Sequence, residues 1–384
     1  MIDKVEAAWP VGRPVLSRLL DLTEYKARVL LEAISEQAPG EAYQRQHLLD
    51  LEAQVEMLQK KSAAVEALTE VFSTAVRQLP KLKIDPLPRE VDDDLDPEEA
   101  LVHFSDVHVG AEVSAEQTGG LGSYNFEAFL RRKARAVHAL RSILRYTPNP
   151  IPRFHVVLGG DIIEGGTIFR GQQRQICLPV VKQVTFAYEH FADLIRTLAE
   201  MFPEVVVSCV VGNHGRLGQK GEFAPTDNLD WLLYWFLQER FAGVENVRFN
   251  VPDTWWMVLE VNGWKFHVSH GEDFRAWAGI PFYGAQKYKG RLREMLRESF
   301  ASATGERADF DYLLVGHHHE MADFGNILMN GSWVGGSEFS VKQLQCGGLP
   351  YQTLIGVHER QGIAWRRALV LEDRRNLPEL TVYS

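Results

Sequence analysis

The chain has 384 residues, 45% of them hydrophobic and 24% charged, which describes an ordinary globular protein able to bury a sizeable core without staples. The net charge of −10 is uneven: residues 1–100 carry 12 Lys+Arg against 20 Asp+Glu, and the remainder 29 against 31, so the acidity of the N-terminal part does not exclude a nucleic-acid partner for the rest. Three distant cysteines, Cys177, Cys209 and Cys346, exclude a disulfide framework and a zinc spacing, and point to a reducing, cytoplasmic compartment.

The N-terminus has no basic stretch followed by an apolar run, so no signal peptide is expected. No window approaches about 18 continuous apolar residues, so no membrane partner is expected. Residues 14–38 place Leu19, Leu20, Leu22, Val29, Leu30 and Ile34 at helical spacing, and Pro39-Gly40 interrupts them. A second helix is predicted from about Glu41 to Leu79, stopping at Pro80. Its positions Leu51, Val55, Leu58, Ser62, Val65, Thr69, Phe72, Val76 and Leu79 alternate by four and three, a heptad seam with two polar interruptions. Residues 1–80 therefore read as a coiled-coil-like helical hairpin, which either packs on the rest of its own chain or pairs between chains as a homodimer. Residues 81–99, with their prolines and the acidic run Asp92-Asp93-Asp94, read as a solvated linker.

From residue 100 to 384 the texture is that of an α/β domain. Short apolar runs each end in a polar cluster. Ala100–Phe104 leads to Ser105-Asp106-Val107-His108, Phe154–Leu158 to Gly159-Gly160-Asp161, and Val205–Val211 to Gly212-Asn213-His214. Trp264–Val268 leads to Ser269-His270-Gly271, and Tyr312–Val315 to Gly316-His317-His318-His319. Runs of this length bounded by glycine are buried strands. Their polar clusters then fall on loops at one rim of a sheet, where α/β sheets place their ligands. Thr353–His358 and Ile363–Leu371, around Gln361-Gly362, read as a closing hairpin.

The clusters supply a donor set suited to a pair of divalent cations about 3.5–4 Å apart, which is what phosphate-ester hydrolysis uses. Asp106 and His108, at i and i+2, can approach one cation together. Asp161 can bridge, Asn213 offers an amide oxygen, and His270, His317 and His319 offer imidazoles. Mixed imidazole and carboxylate suit intermediate metals such as Mn²⁺, Fe or Zn²⁺ better than Ca²⁺; the expected pair is Mn²⁺, with Mg²⁺, Fe, Zn²⁺ or Ni²⁺ as alternatives. His103, His155 and His267 lie within strands and read as packing or capping residues. His318 points away from its neighbours on an extended segment, and Cys209 reads as core.

In this order the five motifs resemble the calcineurin-like metallophosphoesterase superfamily, over about residues 100–335. The resemblance implies a four-layer sandwich of two mixed β-sheets flanked by helices. It implies one cation on Asp106, His108 and His319, a second on Asn213, His270 and His317, and Asp161 bridging. It also implies His214 as the catalytic group at the leaving oxygen, and in-line attack on phosphorus. In many members an acidic residue follows the third motif. Here Gly215-Arg216 follows, so a partner for His214 must come from elsewhere or be absent. Arg216 reads either as a phosphate clamp or as an exposed loop arginine.

Two segments bear on substrate. The first is Phe169-Arg170-Gly171-Gln172-Gln173-Arg174. The second interleaves Trp277, Phe282, Tyr283 and Tyr288 with Lys287, Lys289, Arg291, Arg293 and Arg297. Aromatic faces for bases and cations for phosphates describe a single-strand surface. An amphipathic helix with a solvated basic face is the alternative. The expectation is a phosphodiesterase acting on DNA or RNA, similar to the repair-exonuclease branch, with Arg170, Arg174, Arg216, Lys287 and Lys289 as substrate contacts. The Gly-Asn-His-Gly-Arg variant and the N-terminal helices also resemble metallophosphoesterases of bacteriophage genomes, which would set the protein in a bacterial or phage-infected cell. A small-substrate phosphatase, a nucleotide or cyclic-nucleotide phosphodiesterase, and a non-catalytic assembly protein are the competing expectations.

Overall fold

In the computed structural model, residues 66–67, 69–87, 94–169, 171–218, 220–274, 281–301, 309–337, 340–341, 349–373 and 375 are described. The chain divides into two units, Met1–Gln78 and Leu79–Ser384. In the first, residues 69–78 are helical, within the span predicted for the second helix of the hairpin. The first helix, most of the heptad seam and any pairing through it lie outside the described residues.

The second unit is built on two mixed sheets. The strands of the first are β1 (Glu98–Phe104), β2 (Arg153–Leu158), β3 (Glu204–Cys209), β4 (Val247–Asn250), β10 (Tyr351–His358) and β11 (Gly362–Val370), in the order β11-β10-β1-β2-β3-β4. The run β1 to β4 is parallel, and the closing hairpin adds two antiparallel strands beside β1. The second sheet runs β5-β6-β7-β9-β8, from β5 (Trp256–Val261), β6 (Trp264–Ser269), β7 (Tyr312–Val315), β8 (Ala322–Asp323) and β9 (Ile327–Met329). Its core strands β6, β7 and β9 are parallel, with β5 and β8 antiparallel at the edges.

The two-residue period of strand side chains explains the layering. Leu101, Val157, Ile355 and Val357 of the first sheet meet Leu259, Val261, Phe266, Val268, Leu314 and Leu328 of the second in one buried cluster. On the other face of the second sheet, Leu313, Val315, Ile327 and Met329 pack against Ala285, Leu292 and Leu296 of helix α4 (Phe282–Ala301). On the first sheet, α1 (Phe126–Arg145) contacts β11 and α2 (Val180–Met201) contacts β3, with α3 (Leu229–Arg240) beside α2. The result is the predicted four-layer arrangement.

Capping residues set the helix starts. Asn125 accepts from the Ala128 N–H to open α1, with Glu127 in the first turn and Arg145 in the last. Asn228 accepts from the Asp230 N–H to open α3. Among the described residues no helix is long and apolar enough to cross a membrane. Cys177 and Cys209 are free thiols, and Cys209 is buried core.

Candidate metal centre

The loops after β1, β2, β3, β6 and β7 meet at one rim of the sandwich. The first two remain hydrogen-bonded beyond the strands: the N–H groups of Asp106, Val107 and His108 donate to the carbonyls of Gly160 and Asp161. The chain then turns sharply. Asp106, His108, Asp161, His317 and His319 all have positive φ, between 50° and 65°. Non-glycine residues rarely adopt this region. Five of the six described non-glycine residues that do are candidate ligands, the sixth being Asn262. Two motif glycines answer to contact instead. A Cβ on Gly212 would lie 2.1 Å from Asp161 Oδ1, and one on Gly316 would lie 2.5 Å from Asp106 Oδ2.

The seven candidate ligands converge. Asp106, His108 and His319 form one group and Asp161, His270 and His317 another, each with ligand atoms within 4.8 Å of one another. His108 Nε2 and His319 Nε2 are 3.1 Å apart, and His319 Nε2 is 3.5 Å from Asp106 Oδ1. His270 Nε2 lies 3.0 Å from Asp161 Oδ2 and 3.1 Å from Asn213 Oδ1. Support comes from behind. Ser105 Oγ and the His317 N–H donate to the Asp106 carboxylate, and the Gly159 carbonyl holds His270 Nδ1 at 2.9 Å.

This donor set fits divalent cations. Burial beside neighbouring histidines holds His317 and His319 well below the usual imidazole range, so both keep a free lone pair. Burial, with the facing Asp161 carboxylate, pushes Asp106 up to about 6. Burial alone would also raise Asp161, but the charges of His270, His214 and His108 hold it well below the carboxylate range. Buried carboxylates and imidazoles facing one another at 3–3.5 Å are the environment a cation relieves.

His214 has the partner that its own motif lacks. Its Nδ1 lies 3.2 Å from Glu164 Oε2 and 3.1 Å from the Glu164 carbonyl, and its N–H donates to Asp161 Oδ1. Burial alone would lower His214, but the Glu164 and Asp161 carboxylates push it up to about 10. Glu164 also takes His108 Nδ1 at 2.8 Å and the Gln172 amide at 2.8 Å, and the two histidines hold it down at about 2 against its burial. Sequence reasoning misses both Glu164 and Gln172 as parts of the centre. Glu164 stands three residues after Asp161, and Gln172 lies inside the segment that draws notice for its arginines.

The remaining predicted positions separate. Arg174 is exposed on the short 3-10 turn Gln172–Arg174, and Arg170 lies outside the described residues. Arg216 is no exposed loop arginine: it is largely buried and paired with Glu272, just after His270-Gly271. Lys289 does not face the rim. It is buried on α4, and its Nζ reaches the Asp311 carbonyl at the opposite end of β7 from His317. Arg293 and Arg297 both grip Asp309, Tyr288 packs on Phe274, and Phe282 packs on Phe324. The aromatic-basic segment is therefore largely committed to its own packing, leaving Lys287, Arg291 and Tyr283 exposed, while Trp277 lies outside the described residues.

His318 does not point away from both neighbours: its ring lies 4.8 Å from that of Phe274 and 5.3 Å, edge-on, from that of His317, and the segment is left-handed on both sides of it rather than extended. His155 pairs with Glu99 at 2.7 Å, His267 stacks on Trp256, and His103 is fully buried.

Residues 100–346 match the profile of the calcineurin-like phosphoesterase family. No curated protein matches the chain. Solved structures are similar at a distance. They include Vps29 of Entamoeba histolytica in complex with zinc (14% identical, over 71% of this chain and 99% of that one, TM-score 0.30). A predicted phosphoesterase of Streptococcus pneumoniae is 12% identical, over 71% and 98%, with TM-score 0.23. A serine/threonine phosphatase of Saccharomyces cerevisiae is 11% identical, over 82% and 92%, with TM-score 0.31. With the profile spanning all five motifs, the chain belongs to the calcineurin-like phosphoesterase family. It is a metal-dependent phosphoesterase, and divalent metal is a property of that family.

Proposed function

We propose that the protein hydrolyses phosphodiester bonds of nucleic acid, DNA or RNA, with Mn²⁺ as the working cation. Asp106, His108 and His319 would hold one cation and Asn213, His270 and His317 a second, with Asp161 available to both. When bound, such a pair neutralises the phosphoryl oxygens and activates water for in-line attack. The chain's own part is to hold that geometry and to deliver a proton. His214 has its Nδ1 committed to Glu164, so Nε2 is the nitrogen that meets the leaving oxygen. Glu164, against which Nδ1 rests, favours the protonated ring, and that ring supplies the proton as the ester bond breaks.

The observation that carries the substrate reading is Phe169. Its ring is exposed and stands edge-on to His214, with centroids 6.1 Å apart. An exposed aromatic ring at the leaving-group side is a platform for a base, and stacking of this kind contributes ~1–3 kcal/mol. Arg174, exposed on the following turn, supplies a cation for a neighbouring phosphate.

A second reading, a small nucleotide diester, is favoured by the internal pairing of Arg293, Arg297 and Lys289, which leaves fewer cations for a long strand. One experiment separates the two. Purified protein with Mn²⁺ is given labelled single- and double-stranded DNA and RNA, and bis-p-nitrophenyl phosphate. Cleavage of a strand, weakened in Phe169→Ala by roughly ten- to a hundredfold in kcat/KM, is expected. Turnover of the small diester with no strand cleavage would reject the nucleic-acid reading.

A further inference from the structure

The loops that carry Asp161 and Asn213-His214 are about fifty residues apart in the chain, and they meet over one side chain. Asp230, in the first turn of α3, is fully buried. Its Oδ2 accepts the N–H of Asp161 at 2.8 Å and that of Gly212 at 3.0 Å, while Oδ1 accepts the N–H of Ile163 at 3.0 Å. Asn228 completes the grip. Its Oδ1 accepts the Asp230 N–H and its Nδ2 donates to the Gly212 carbonyl, both at 2.8 Å. Gly212, one residue before Asn213, is thus held by its N–H and its carbonyl together. The Leu229 N–H donates to the Gly215 carbonyl, tying down the far side of the same loop.

This arrangement answers a specific need. Asp161 is left-handed, at φ 52°, and a non-glycine residue stays there only when its surroundings hold it. Its carboxylate must also reach His270 while accepting the His214 N–H. A carboxylate is the side chain that can receive three N–H groups on two oxygens. An amide of the same shape would turn an NH₂ toward at least one of them.

We infer that Asp230, seated by Asn228, is a positioning residue that sets the spacing of the two cation subsites by locking the Asp161 loop onto the Asn213-His214 loop. The inference rests on the two-cation reading above.

The test uses the full-length protein, freed of metal and titrated with Mn²⁺. Calorimetry reads stoichiometry and affinity. Electron paramagnetic resonance reads exchange coupling between the paired ions, which a merely structural role would not move. Metal-free thermal melts report folding. Wild type is expected to take two cations with a coupled spectrum. Folded Asp230→Asn should lose ~10- to 100-fold in affinity for the second cation and lose the coupled signal. Unchanged affinity and coupling in that variant would overturn the inference while leaving the two-cation reading intact. If Asp230→Asn does not fold, Asn228→Ala takes its place: it keeps the carboxylate but frees the Gly212 carbonyl. A weaker loss in the same direction supports the clamp, and an unchanged titration overturns it. A wild type that binds fewer than two cations would overturn both readings.

Discussion

Glu164→Gln perturbs the centre while leaving every candidate ligand unsubstituted. The carboxylate meets His108 Nδ1 at 2.8 Å and His214 Nδ1 at 3.2 Å, and glutamine keeps its shape while removing its charge. Both imidazoles meet one oxygen, Oε2, so a glutamine carbonyl placed there accepts from them only as a neutral group, and its NH₂ would then face the Gln172 amide that Oε1 now takes. A charge-assisted hydrogen bond of this kind is worth ~1.5–3 kcal/mol. At about 1.36 kcal/mol per pKa unit, its loss takes about one to two units from the basicity of His214, which Glu164 and Asp161 otherwise push up to about 10. The alkaline limb of kcat, where His214 gives up its proton, should therefore move toward lower pH by about one to two units. Between the shifted and the original limb, turnover of a dinucleotide, whose alkoxide leaving group needs that proton, should fall up to ~10- to 100-fold against wild type at the same pH. Bis-p-nitrophenyl phosphate, whose leaving group departs unprotonated, should lose less than ~10-fold. The assay is kcat against pH on both substrates, with cation content measured in each preparation because His108 also loses a partner. An equal loss on both substrates at full cation loading, or an alkaline limb that stays in place, would refute the assignment of His214 as the acid held by Glu164.

Two further perturbations bear on other parts of the molecule. His319→Ala removes one of the three donors grouped with Asp106 and His108, so bound cations should fall from two to one per chain by elemental analysis, with activity down at least ~10-fold; retention of two would contradict the grouping. Away from the centre, burial would raise Glu99, but His155 and Arg153 hold it below the usual range. Such a group stabilises the fold above its unfolded pKa and loses that contribution as pH falls through the folded value. Glu99→Gln should then cost ~1–3 kcal/mol at pH 7 in denaturant titrations, and the difference from wild type should shrink toward zero below about pH 4. A difference that does not change with pH would refute the pairing.

The sheet core and the rim loops are legible because two local signals coincide in the sequence, a short apolar run and the polar cluster that ends it. Ala100–Phe104 and Tyr312–Val315 are strands because alternate residues can be buried on two faces, and the glycine- and histidine-bearing clusters beyond them must leave the sheet. The partners of the cluster residues are not legible, because they are set by approach in space. Gly215-Arg216 offers no acid beside His214, yet one comes from Glu164, fifty residues earlier, brought round by the left-handed turn at Asp161. Arg216 and Lys289 look free because Glu272 and Asp311 are distant in sequence. Asn228 and Asp230 carry the signal of a helix start, since Asn-Leu-Asp before an apolar run is a capping pattern. Nothing local says that the cap also grips two other loops.

The positive φ angles at Asp106, His108, Asp161, His317 and His319 also govern how this protein would respond to selection. At each position the backbone prefers glycine, and each non-glycine residue there is destabilising by ~1–3 kcal/mol. A library screened for heat resistance alone would therefore enrich glycine first at His317 and His319, since glycine at Asp106, His108 or Asp161 would also leave buried hydrogen bonds unmade. Its winners would melt later and bind no cation. Cation loading shifts that outcome, because binding favours the folded state that presents the donors. Screening in the presence of Mn²⁺ should preserve the centre, and screening in chelator should erase it.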